Sequence, residues 1–356
     1  MNLERILIIK WSAMGDVALA STVMEDVVQA YPDAEIDLNT LPPCDRLFAH
    51  DPRFAHVYTY NVRAKRGSWK EMRRWLRTVR ERRYDMIIDL QTTDRSRVLI
   101  ALLCLLGGAP KIRLGNNPGF PYTAHASRPD GVRSALALMR ATVASGGIPN
   151  VTERPVLHAG AEAEARVEAM VAEESLNAGD FAVFMPGSQA AGYLKRWGVE
   201  NYAGLARRML ARRWRKVVLI GGPDEIADCE AIAQRVGRGV LNLCGKTQLL
   251  DIAPICEHAN VIVANDTGTA HIGAASGRPM VVICGPTDPR RVRPAGERVT
   301  TLQADLACIN CYRKHCGHHS CMRIISPEDV LEHIVAREPD EDIQNGGRRA
   351  SDSSVV

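Results

Sequence analysis

The sequence predicts an α/β protein built from two domains, each with a doubly wound parallel sheet. The chain has 356 residues, which is two or more ordinary domain lengths. Hydrophobic residues make up 46% of it but aromatic residues only 5%, a composition that favours α/β layers over an all-β sandwich. Short apolar runs alternate with amphipathic stretches, as in strand–helix–strand units, whose right-handed crossovers give parallel sheets.

In the first half of the chain, apolar runs of strand length recur at intervals typical of such units. Amphipathic stretches between them are predicted to be helices, because their apolar residues fall on one face. Thr22–Tyr31 places Val23, Val27 and Ala30 together. Trp69–Arg82 turns its arginines outward and its apolar residues inward, namely Trp69, Met72, Trp75, Leu76 and Val79. The predicted strands are Arg5–Lys10, Glu35–Thr40, Val57–Tyr60, Met86–Gln91 and Lys111–Gly115.

The same alternation restarts after about Pro155. We predict strands at Phe181–Met185, Lys216–Ile220, Val240–Leu243, Val261–Ala264 and Met280–Cys284. The helices predicted between them are Asn201–Arg213, Ile226–Val236, Leu249–Ala259 and Thr269–Ser276. A last helix, Val330–Val335, follows an N-cap serine, Ser326, a proline and two acids.

Glycines and prolines in the segment Ser145–Glu164 interrupt the periodicity before an Ala/Glu-rich helix. We therefore expect an N-terminal domain over residues 1–155 and a C-terminal domain over 156–336. Residues 337–356 are polar and without pattern, so we expect a disordered tail.

Three features predict a cytoplasmic protein. The longest uncharged apolar stretch, Val98–Ala109, has about a dozen residues, too few for the ~20 that span a bilayer. The N-terminus lacks the charged and long apolar regions of a secretion signal. Six of the ten cysteines sit singly in apolar segments, which fits a reducing compartment.

Ligands of parallel sheets bind where strands end and loops lead into helices, so these loops are the candidate site. After the first strand, Trp11–Val17 places Asp16 at a helix start, where it is either a helix-end charge or a general base. Neither a dinucleotide fingerprint nor a G-K-[ST] phosphate loop occurs there.

Two loops of the second half carry groups that suit a nucleotide. Pro186–Trp197 holds Ser188 and Lys195, which either bind a phosphate or belong to a solvated basic turn. In Gly221–Glu225 a carboxylate stands at a helix start, where it either accepts hydrogen bonds from a ribose or caps the helix.

The most informative segment is Ala264–Ala275, directly after an apolar strand. Thr267, Gly268 and Thr269 can present N–H and hydroxyl donors to a diphosphate, and small residues there let a ligand come close. His271 is one turn further on and is either a ligand contact or a packed core histidine. The next strand ends in another turn of this kind, Gly285-Pro286-Thr287-Asp288-Pro289.

Together these segments resemble the heptosyltransferases of glycosyltransferase family 9. The resemblance runs from about Ile6 to Val335. It rests on an ordered set: Gly15-Asp16, the Asp85–Gln91 strand with Arg95 beyond it, the PGS…KRW loop, NDTG-x-x-H-x-x-AA and GPTDP.

The resemblance implies a GT-B fold, with a nucleotide sugar in the C-terminal domain, the acceptor in the N-terminal one and the reaction in the cleft. It implies an ADP-L-glycero-D-manno-heptose donor, a lipid A–core acceptor, inversion, and no metal or other cofactor. Asp16 would be the base, and Ser188, Lys195 and Thr267–Thr269 would meet the charge of the departing ADP. Glu225, or else Asp224, would bind ribose, and Asp266 would orient the sugar or the Lys195 ammonium. His271 would belong to the donor site, and Ser12, Gly15 and Arg95 to the acceptor site.

Two alternatives stay open beside heptosyl transfer. One is a GT-B enzyme that uses a UDP- or GDP-linked sugar, including an epimerase-like hydrolase. The other is a non-catalytic protein that binds sugar nucleotides or lipids on the same scaffold. The departures from the family pattern, residues 11–14 and 94–97, lie in the acceptor half and leave the acceptor's identity open.

The segment Arg63–Arg83 contains ten Lys or Arg and two Glu, a net charge of +8 against +4 for the whole chain. Its helix either contacts lipid phosphates at the inner face of the membrane or is solvated. Nucleic acid is the weakest interpretation, because no nucleic-acid motif accompanies it.

Four cysteines stand close together near the C-terminus: Cys308, Cys311, Cys316 and Cys321. Thiols are ligands that Zn²⁺ or iron could use. The later spacings, however, do not repeat the first C-x-x-C. We therefore predict packed or redox-variable thiols and no metal, with these four as the candidates if a metal binds.

Overall fold

The computed structural model describes residues 3–62, 67–91, 93–126, 134–188 and 190–337, and these contain two six-stranded sheets. The strands of the first sheet are β1 (Arg5–Ile9), β2 (Glu35–Asn39), β3 (His56–Tyr58), β4 (Met86–Asp89), β5 (Ile112–Gly115) and β6 (Ala124–His125). Those of the second are β7 (Phe181–Met185), β8 (Lys216–Leu219), β9 (Val240–Asn242), β10 (Val261–Asn265), β11 (Met280–Cys284) and β12 (Val299–Gln303).

Both sheets are doubly wound. Their strand orders are β3-β2-β1-β4-β5-β6 and β12-β11-β10-β7-β8-β9, and every neighbouring pair is parallel. The winding reverses between β1 and β4 in the first sheet and between β7 and β10 in the second. Loops that follow these four strands therefore border the crevices where such sheets bind ligands.

Twelve α-helices connect the strands in the described ranges. They are α1 (Met14–Ala30), α2 (Ser68–Arg82), α3 (Asp94–Leu105), α4 (Ala135–Ala144), α5 (Ala161–Glu173), α6 (Val199–Leu210), α7 (Ile226–Val236), α8 (Ile252–His258), α9 (Gly268–Gly273), α10 (Pro289–Val292), α11 (Ser320–Arg323) and α12 (Pro327–Val335). The predicted cap of α12 is confirmed, because Ser326 Oγ accepts from the Asp329 N–H at 3.1 Å and Asp329 returns the bond to the Ser326 N–H.

Several elements differ from the sequence prediction. Helix α1 begins at Met14 instead of Thr22, because the small residues that precede Thr22 show no helical period but are buried on nearly every side. Strands β6 and β12 and helices α3 and α4 were not predicted. The apolar run that we weighed as a membrane segment lies largely in α3. No helix in the described part of the chain is long and apolar enough to cross a bilayer.

Helix α2 buries fewer residues than its periodicity predicts. Trp75 and Val79 are buried, but the prediction that Trp69 points inward was wrong, since its side chain is 53% exposed. Trp69 lies in the first turn, where the cations of Lys70 and Arg73 lie over its ring at 5.7 and 5.8 Å.

The two sheet-containing halves share one hydrophobic core. Helix α1 packs against α9, and one cluster of buried side chains continues from Val17 and Val23 in the first half to Ile272 and Ala274 in the second. The connecting segment is tied to α1, because the Asp26 carboxylate accepts from the Val151 and Thr152 N–H groups, at 3.1 and 2.8 Å. The predicted disordered tail, residues 337–356, lies outside the described residues except for its first residue.

Candidate active site

A cavity of about 370 Å³ lies where the loops after β1, β7 and β10 meet. The first half contributes the start of α1, with Gly15 and Asp16. The second half contributes the loop after β7 and the start of α9. The side chains of most use to a charged ligand are Asp16, Ser188, Lys195, Asp266, Thr267, His271 and Arg291. The structure thus brings most of the predicted donor residues and the predicted base to one cavity.

Gly15 allows the two halves to approach at this point. A Cβ on Gly15 would lie 2.8 Å from His271 Cδ2 and 3.2 Å from Gly268 Cα, closer than side chains pack. The absence of a side chain therefore sets how near Asp16, the next residue, comes to α9. Gly15, which the family resemblance assigns to the acceptor site, is therefore required by the close packing of α1 against α9.

Lys195 and Asp266 form the central ion pair of the cavity. Lys195 Nζ lies 2.7 Å from Asp266 Oδ2, and the Asp266 side chain is only 7% exposed. Of the two partners that the sequence left open for Asp266, the structure places the lysine ammonium beside it. Lys195 keeps about a third of its side chain exposed, so the ammonium can also meet a ligand.

Asn265 holds the loop of Lys195 in place, a role that sequence reasoning missed. It is fully buried, and its Nδ2 donates to the carbonyls of Pro186 and Gly187 at 2.5 and 3.3 Å. Its Oδ1 accepts from the Trp197 N–H and the Tyr202 hydroxyl, at 3.3 and 3.1 Å. A polar residue at the end of an otherwise apolar strand was the available signal.

The predicted ribose acid, Glu225, has a structural partner. Its Oε2 accepts from the Gly222 N–H, as the capping alternative expects, and the side chain is 8% exposed. A Cβ on Gly187 would overlap the Glu225 side chain, so the carboxylate lies between the loops after β7 and β8. Glu225 does not line the cavity. It packs against Gly187, which precedes the cavity-lining Ser188 in the sequence.

Three more predicted residues lie apart from the cavity lining. Arg95 is exposed in the first turn of α3, after β4, and Thr269 is half-buried in α9 beyond Thr267 and Gly268. Ser12 precedes the cavity on the β1 loop, where the Gln91 side chain accepts from its N–H and from that of Trp11, at 3.4 and 3.0 Å. Gln91 thus fixes the loop that leads to Asp16.

His271 is buried against both halves. Burial lowers the pKa of its imidazole, and the Lys195 ammonium lowers it further, while the carboxylates of Asp266 and Asp16 oppose them. No hydrogen-bond partner for Nδ1 occurs among the described residues. His271 therefore fits both alternatives that the sequence left open. Its ring is packed in the interior, and it also lines the cavity, where a ligand could contact it.

A buried lysine and a buried aspartate lie behind Asp16, and sequence reasoning assigned no role to either. Lys10 is 3% exposed, and burial lowers its pKa although Asp16 and Asp89 raise it. Burial raises the pKa of Asp89 to about 6, although the Tyr122 hydroxyl, which donates to it at 2.6 Å, lowers it. Charged groups at the ends of β1 and β4 were the signal.

The expectation of packed C-terminal thiols was wrong for Cys308 and Cys311, whereas Cys321 packs against the hydrophobic core of the second half. Cys308 and Cys311 are exposed, and Cys316 and Cys321 are half-buried. Five of the six cysteines in apolar segments are buried, in contrast, and Cys104 is half-buried. The exposed thiols lie in a segment of irregular structure, where too few apolar side chains surround them to bury them.

Comparisons with known proteins give one consistent family. A model described as glycosyltransferase family 9 (heptosyltransferase) matches residues 72–321, more than half of the chain. The chain is 25% identical over 346 residues to lipooligosaccharide heptosyltransferase 2 of Haemophilus influenzae, covering 92% of this chain and 98% of that protein.

Two solved structures share the fold. The glycosyl transferase family 9 structure from Veillonella parvula matches with a TM-score of 0.79 at 19% identity, over 95% of this chain and 99% of that one. The E. coli heptosyltransferase WaaC with ADP matches with a TM-score of 0.71 at 21% identity, over 94% and 100%.

Proposed function

The chain belongs to glycosyltransferase family 9, and from this premise we propose that it transfers heptose from ADP-L-glycero-D-manno-heptose to the inner core of lipopolysaccharide. One observation carries the proposal. A carboxylate from the first half, Asp16, and the ion pair of Lys195 and Asp266 from the second half line the same cavity. The heptosyltransferase names of relatives matched over nearly their whole length support the choice of sugar.

In the proposed reaction the acceptor oxygen attacks the anomeric carbon of the donor from the face opposite the diphosphate. The new C–O bond forms as the bond to the ADP oxygen breaks, so the configuration inverts. Asp16 takes the proton of the acceptor hydroxyl. Its position at the start of α1, facing the donor loops, supports this role because a base must stand on the acceptor side of the anomeric carbon.

Negative charge develops on the departing diphosphate, and Lys195 is the proposed group that stabilises it. Asp266 holds the ammonium in the cavity, and Ser188 and Thr267 supply hydroxyls beside it. Because the cation is a side chain, we propose that transfer needs no metal ion. Turnover that survives a strong chelator would support this, and loss of turnover that Mg²⁺ restores would contradict it.

We propose that the acceptor binds to the N-terminal half and that the enzyme works at the cytoplasmic face of the inner membrane. Helix α2 supports this, because Arg73, Arg77 and Arg80 line a groove with Leu106. Arginines beside exposed apolar side chains suit phosphates at a lipid surface. We also propose that the acceptor-binding domain ends near residue 155, where the donor-binding domain begins.

The test compares binding and turnover in one protein and one variant. Calorimetry of the wild type with ADP-heptose, ADP, UDP, GDP and NAD identifies the nucleotide; we expect binding of ADP-heptose and ADP. Asp16→Asn keeps the shape of the side chain but cannot accept the proton, so we expect kcat to fall by about 10²–10⁴-fold with unchanged ADP affinity.

Each outcome decides between the alternatives. Preference for UDP or GDP would replace the proposed donor, and unchanged kcat in Asp16→Asn would remove Asp16 as the base. Binding of ADP-heptose without turnover on any lipopolysaccharide core acceptor would favour the non-catalytic alternative. Asp45→Asn, which changes a carboxylate in the short 3-10 helix Cys44–Phe48 of the first half, is the matched control and should keep kcat.

A further inference from the structure

The turn after β11, residues 285–289, leads into α10 at the border of the cavity. The polar side chains of this turn, Thr287 and Asp288, are buried and do not line the cavity. Helix α10 reaches the cavity instead, with Arg291 and Val292. The charged group that this turn brings to the site is therefore an arginine, which sequence reasoning missed.

Two sets of contacts fix the turn and the start of α10. Gln303 Nε2, at the end of β12, donates to the carbonyls of Gly285 and Thr287, at 3.1 and 2.9 Å. The Asp288 carboxylate accepts from the Arg290 N–H at 3.0 Å and pairs with the Arg290 guanidinium at 2.8 Å. The residue that follows Arg290 therefore extends from a fixed backbone.

The Arg291 guanidinium lies over the ring of Tyr312, with its Cζ 5.4 Å from the ring centroid. A cation at this distance is attracted by the negative face of the ring. The tyrosine is itself tied at two points, because its N–H donates to the Pro286 carbonyl at 2.9 Å and its hydroxyl accepts from the Asp288 N–H at 3.1 Å. Tyr312 thus holds the arginine beside the cavity.

The charges around the cavity leave one cation for a ligand. Among the described residues, two carboxylates, Asp16 and Asp266, and two cations, Lys195 and Arg291, line it. Lys195 is paired with Asp266 at 2.7 Å. Arg291 has no carboxylate partner in the described ranges, in contrast to its neighbour Arg290. The charge of Arg291 is therefore the one that the protein leaves uncompensated here.

A diphosphate requires more positive charge than the ion pair supplies. Each phosphate of a nucleotide sugar is ionised, and the departing group gains further negative charge as its bond to the sugar breaks. Asp266 offsets part of the charge of Lys195. A guanidinium presents parallel N–H donors that match two phosphate oxygens at once, which an ammonium does not. Arg291 has the charge and the geometry that the departing diphosphate needs.

We propose that Arg291 is the second cation of the donor site, where it binds the diphosphate of the nucleotide sugar and stabilises the charge that develops on it. This rests on the proposed function. The electron pair of the breaking C–O bond stays on the diphosphate oxygen, and the acceptor's proton goes to Asp16. Arg291 donates hydrogen bonds and keeps its protons. Tyr312 is a positioning residue, because it acts through the guanidinium.

Calorimetry of the full-length protein with ADP and adenosine tests the role of Arg291. Arg291→Met removes the charge but keeps a long side chain at an exposed position, so the fold is kept. We expect affinity for ADP to fall by about 10–100-fold and affinity for adenosine to stay nearly unchanged, as the loss of a charged hydrogen bond implies. Arg291→Lys, which keeps the charge but not the planar fork, should recover part of the loss.

Arg290→Met is the matched control. It makes the same change of charge on the same helix, but the Arg290 guanidinium pairs with Asp288 and does not line the cavity. Its affinity for ADP should equal that of the wild type. An equal loss in Arg290→Met and Arg291→Met would overturn the proposal, because it would show an effect of net charge and not of a contact.

Two variants of Tyr312 test whether its ring positions the arginine. Tyr312→Ala removes the ring and should weaken ADP binding, in the same direction as Arg291→Met but by less. Tyr312→Phe keeps the ring and the backbone bond to Pro286, so it should restore most of the affinity. Equal affinities in the Ala and Phe variants would remove the ring as the support of Arg291.

Turnover decides whether the diphosphate or the acceptor is the partner of Arg291. The charge on the diphosphate is greater in the transition state than in the bound donor, so Arg291→Met should lower kcat at least about tenfold without changing KM for the acceptor. A raised KM for the acceptor with unchanged affinity for ADP would overturn the proposal. It would place the guanidinium against an anionic group of the acceptor.

The binding readout separates this proposal from the proposed function. Wild type that binds ADP as tightly as Arg291→Met would overturn the role of Arg291 and leave heptosyl transfer intact. Wild type that prefers UDP or GDP would replace the proposed donor, and the same variants compared on that diphosphate and its nucleoside would still decide the role of Arg291. Wild type that binds no nucleoside diphosphate would overturn both.

Discussion

At the scale of single residues, the ion pair of Lys195 and Asp266 serves to orient a charged group in the cavity. Lys195 and Asp266 are 71 residues apart in the sequence, and their charged atoms lie 2.7 Å apart. Because Lys195 is 32% exposed, solvent screens the pair, and such pairs add only about 0–1 kcal/mol to stability. The pair therefore orients the ammonium in the cavity far more than it stabilises the fold.

Replacing Lys195 should weaken binding of the diphosphate specifically. We expect Lys195→Ala to lower ADP affinity by about 10–100-fold, as the loss of a charged hydrogen bond of about 1.5–3 kcal/mol implies, and to leave adenosine affinity nearly unchanged. Calorimetry with both ligands measures this. Lys246→Ala, at an exposed position in the same half, is the control. Equal loss for ADP and adenosine would place Lys195 away from the phosphates.

Asp89 predicts a pH dependence of stability. Burial raises its pKa from 3.8 to about 6, so the folded protein holds a proton that the unfolded chain has released. Below pH 4 the raised pKa of Asp89 does not lower the free energy of unfolding. As pH rises from 4 through 6, the free energy of unfolding falls by about 3 kcal/mol, because the folded protein must give up this proton. The free energy of unfolding of Asp89→Asn, relative to wild type, should therefore rise by up to this amount between pH 4 and 7.

Denaturant unfolding of both proteins across this pH range tests the sign as well as the size. Titrating groups that do not interact with Asp89 cancel in the difference between the two proteins. Asp305→Asn, at an exposed position, should show no such trend. A difference between Asp89→Asn and wild type that stays constant with pH would contradict the raised pKa.

At the scale of elements, helices α1 and α2 use their surfaces differently. Helix α1 is buried at every residue from Val17 to Met24, and its half-exposed first turn places Asp16 where α1 meets α9. Helix α2 buries only Trp75 and Val79 and exposes its arginines. The first helix is thus a fixed support for the candidate base, whereas the second presents charge outward.

Neutralising the arginines of α2 should weaken binding to acidic membranes. Each cation near such a surface contributes about 1 kcal/mol, so Arg73→Gln, Arg77→Gln and Arg80→Gln together should lower affinity for phosphatidylglycerol vesicles by on the order of a hundredfold. The wild-type affinity should also fall with salt. Vesicle sedimentation measures both effects.

The matched control carries three Arg→Gln changes at Arg207, Arg212 and Arg238, which are exposed in the second half and keep the same net charge as the test variant. This control should bind vesicles like the wild type. If both variants lose affinity equally, net charge rather than α2 drives the contact.

At the scale of the whole molecule, the GT-B architecture implied by the family resemblance is confirmed: two sheets of the same winding, matched by solved structures over nearly the whole chain. The halves nevertheless share one apolar cluster through α1 and α9. Separate domains held only by a polar interface would unfold independently. A shared core couples them.

We therefore expect a single thermal unfolding transition, with the calorimetric enthalpy close to the van't Hoff enthalpy. ADP at one hundred times its dissociation constant should raise the free energy of unfolding by about 2.7 kcal/mol. The whole transition should therefore move to a higher temperature. Differential scanning calorimetry provides the test. Two resolved transitions, with ADP moving only one, would show that the halves unfold separately.

The sequence by itself determined the fold class, most of the strands and the loops that hold the site. These follow from local patterns: strand-length apolar runs, helical periodicity and the small or polar residues where strands end. Asp16 and Lys195 were identified in this way, Asp266 was added by the family resemblance, and all three line one cavity. Strands without such a pattern, the two-residue β6 and the half-exposed β12, were missed for the same reason.

Only the tertiary structure decided which groups meet and which are covered. Periodicity places Trp69 on the apolar face of its helix, but no element covers that turn, so the ring is exposed. Gly15 approaches His271, and Asn265 ties down the Lys195 loop, through contacts between distant segments. A local pattern records how a residue is oriented on its own element. Its neighbours depend on how sheets and halves pack, which no single segment encodes.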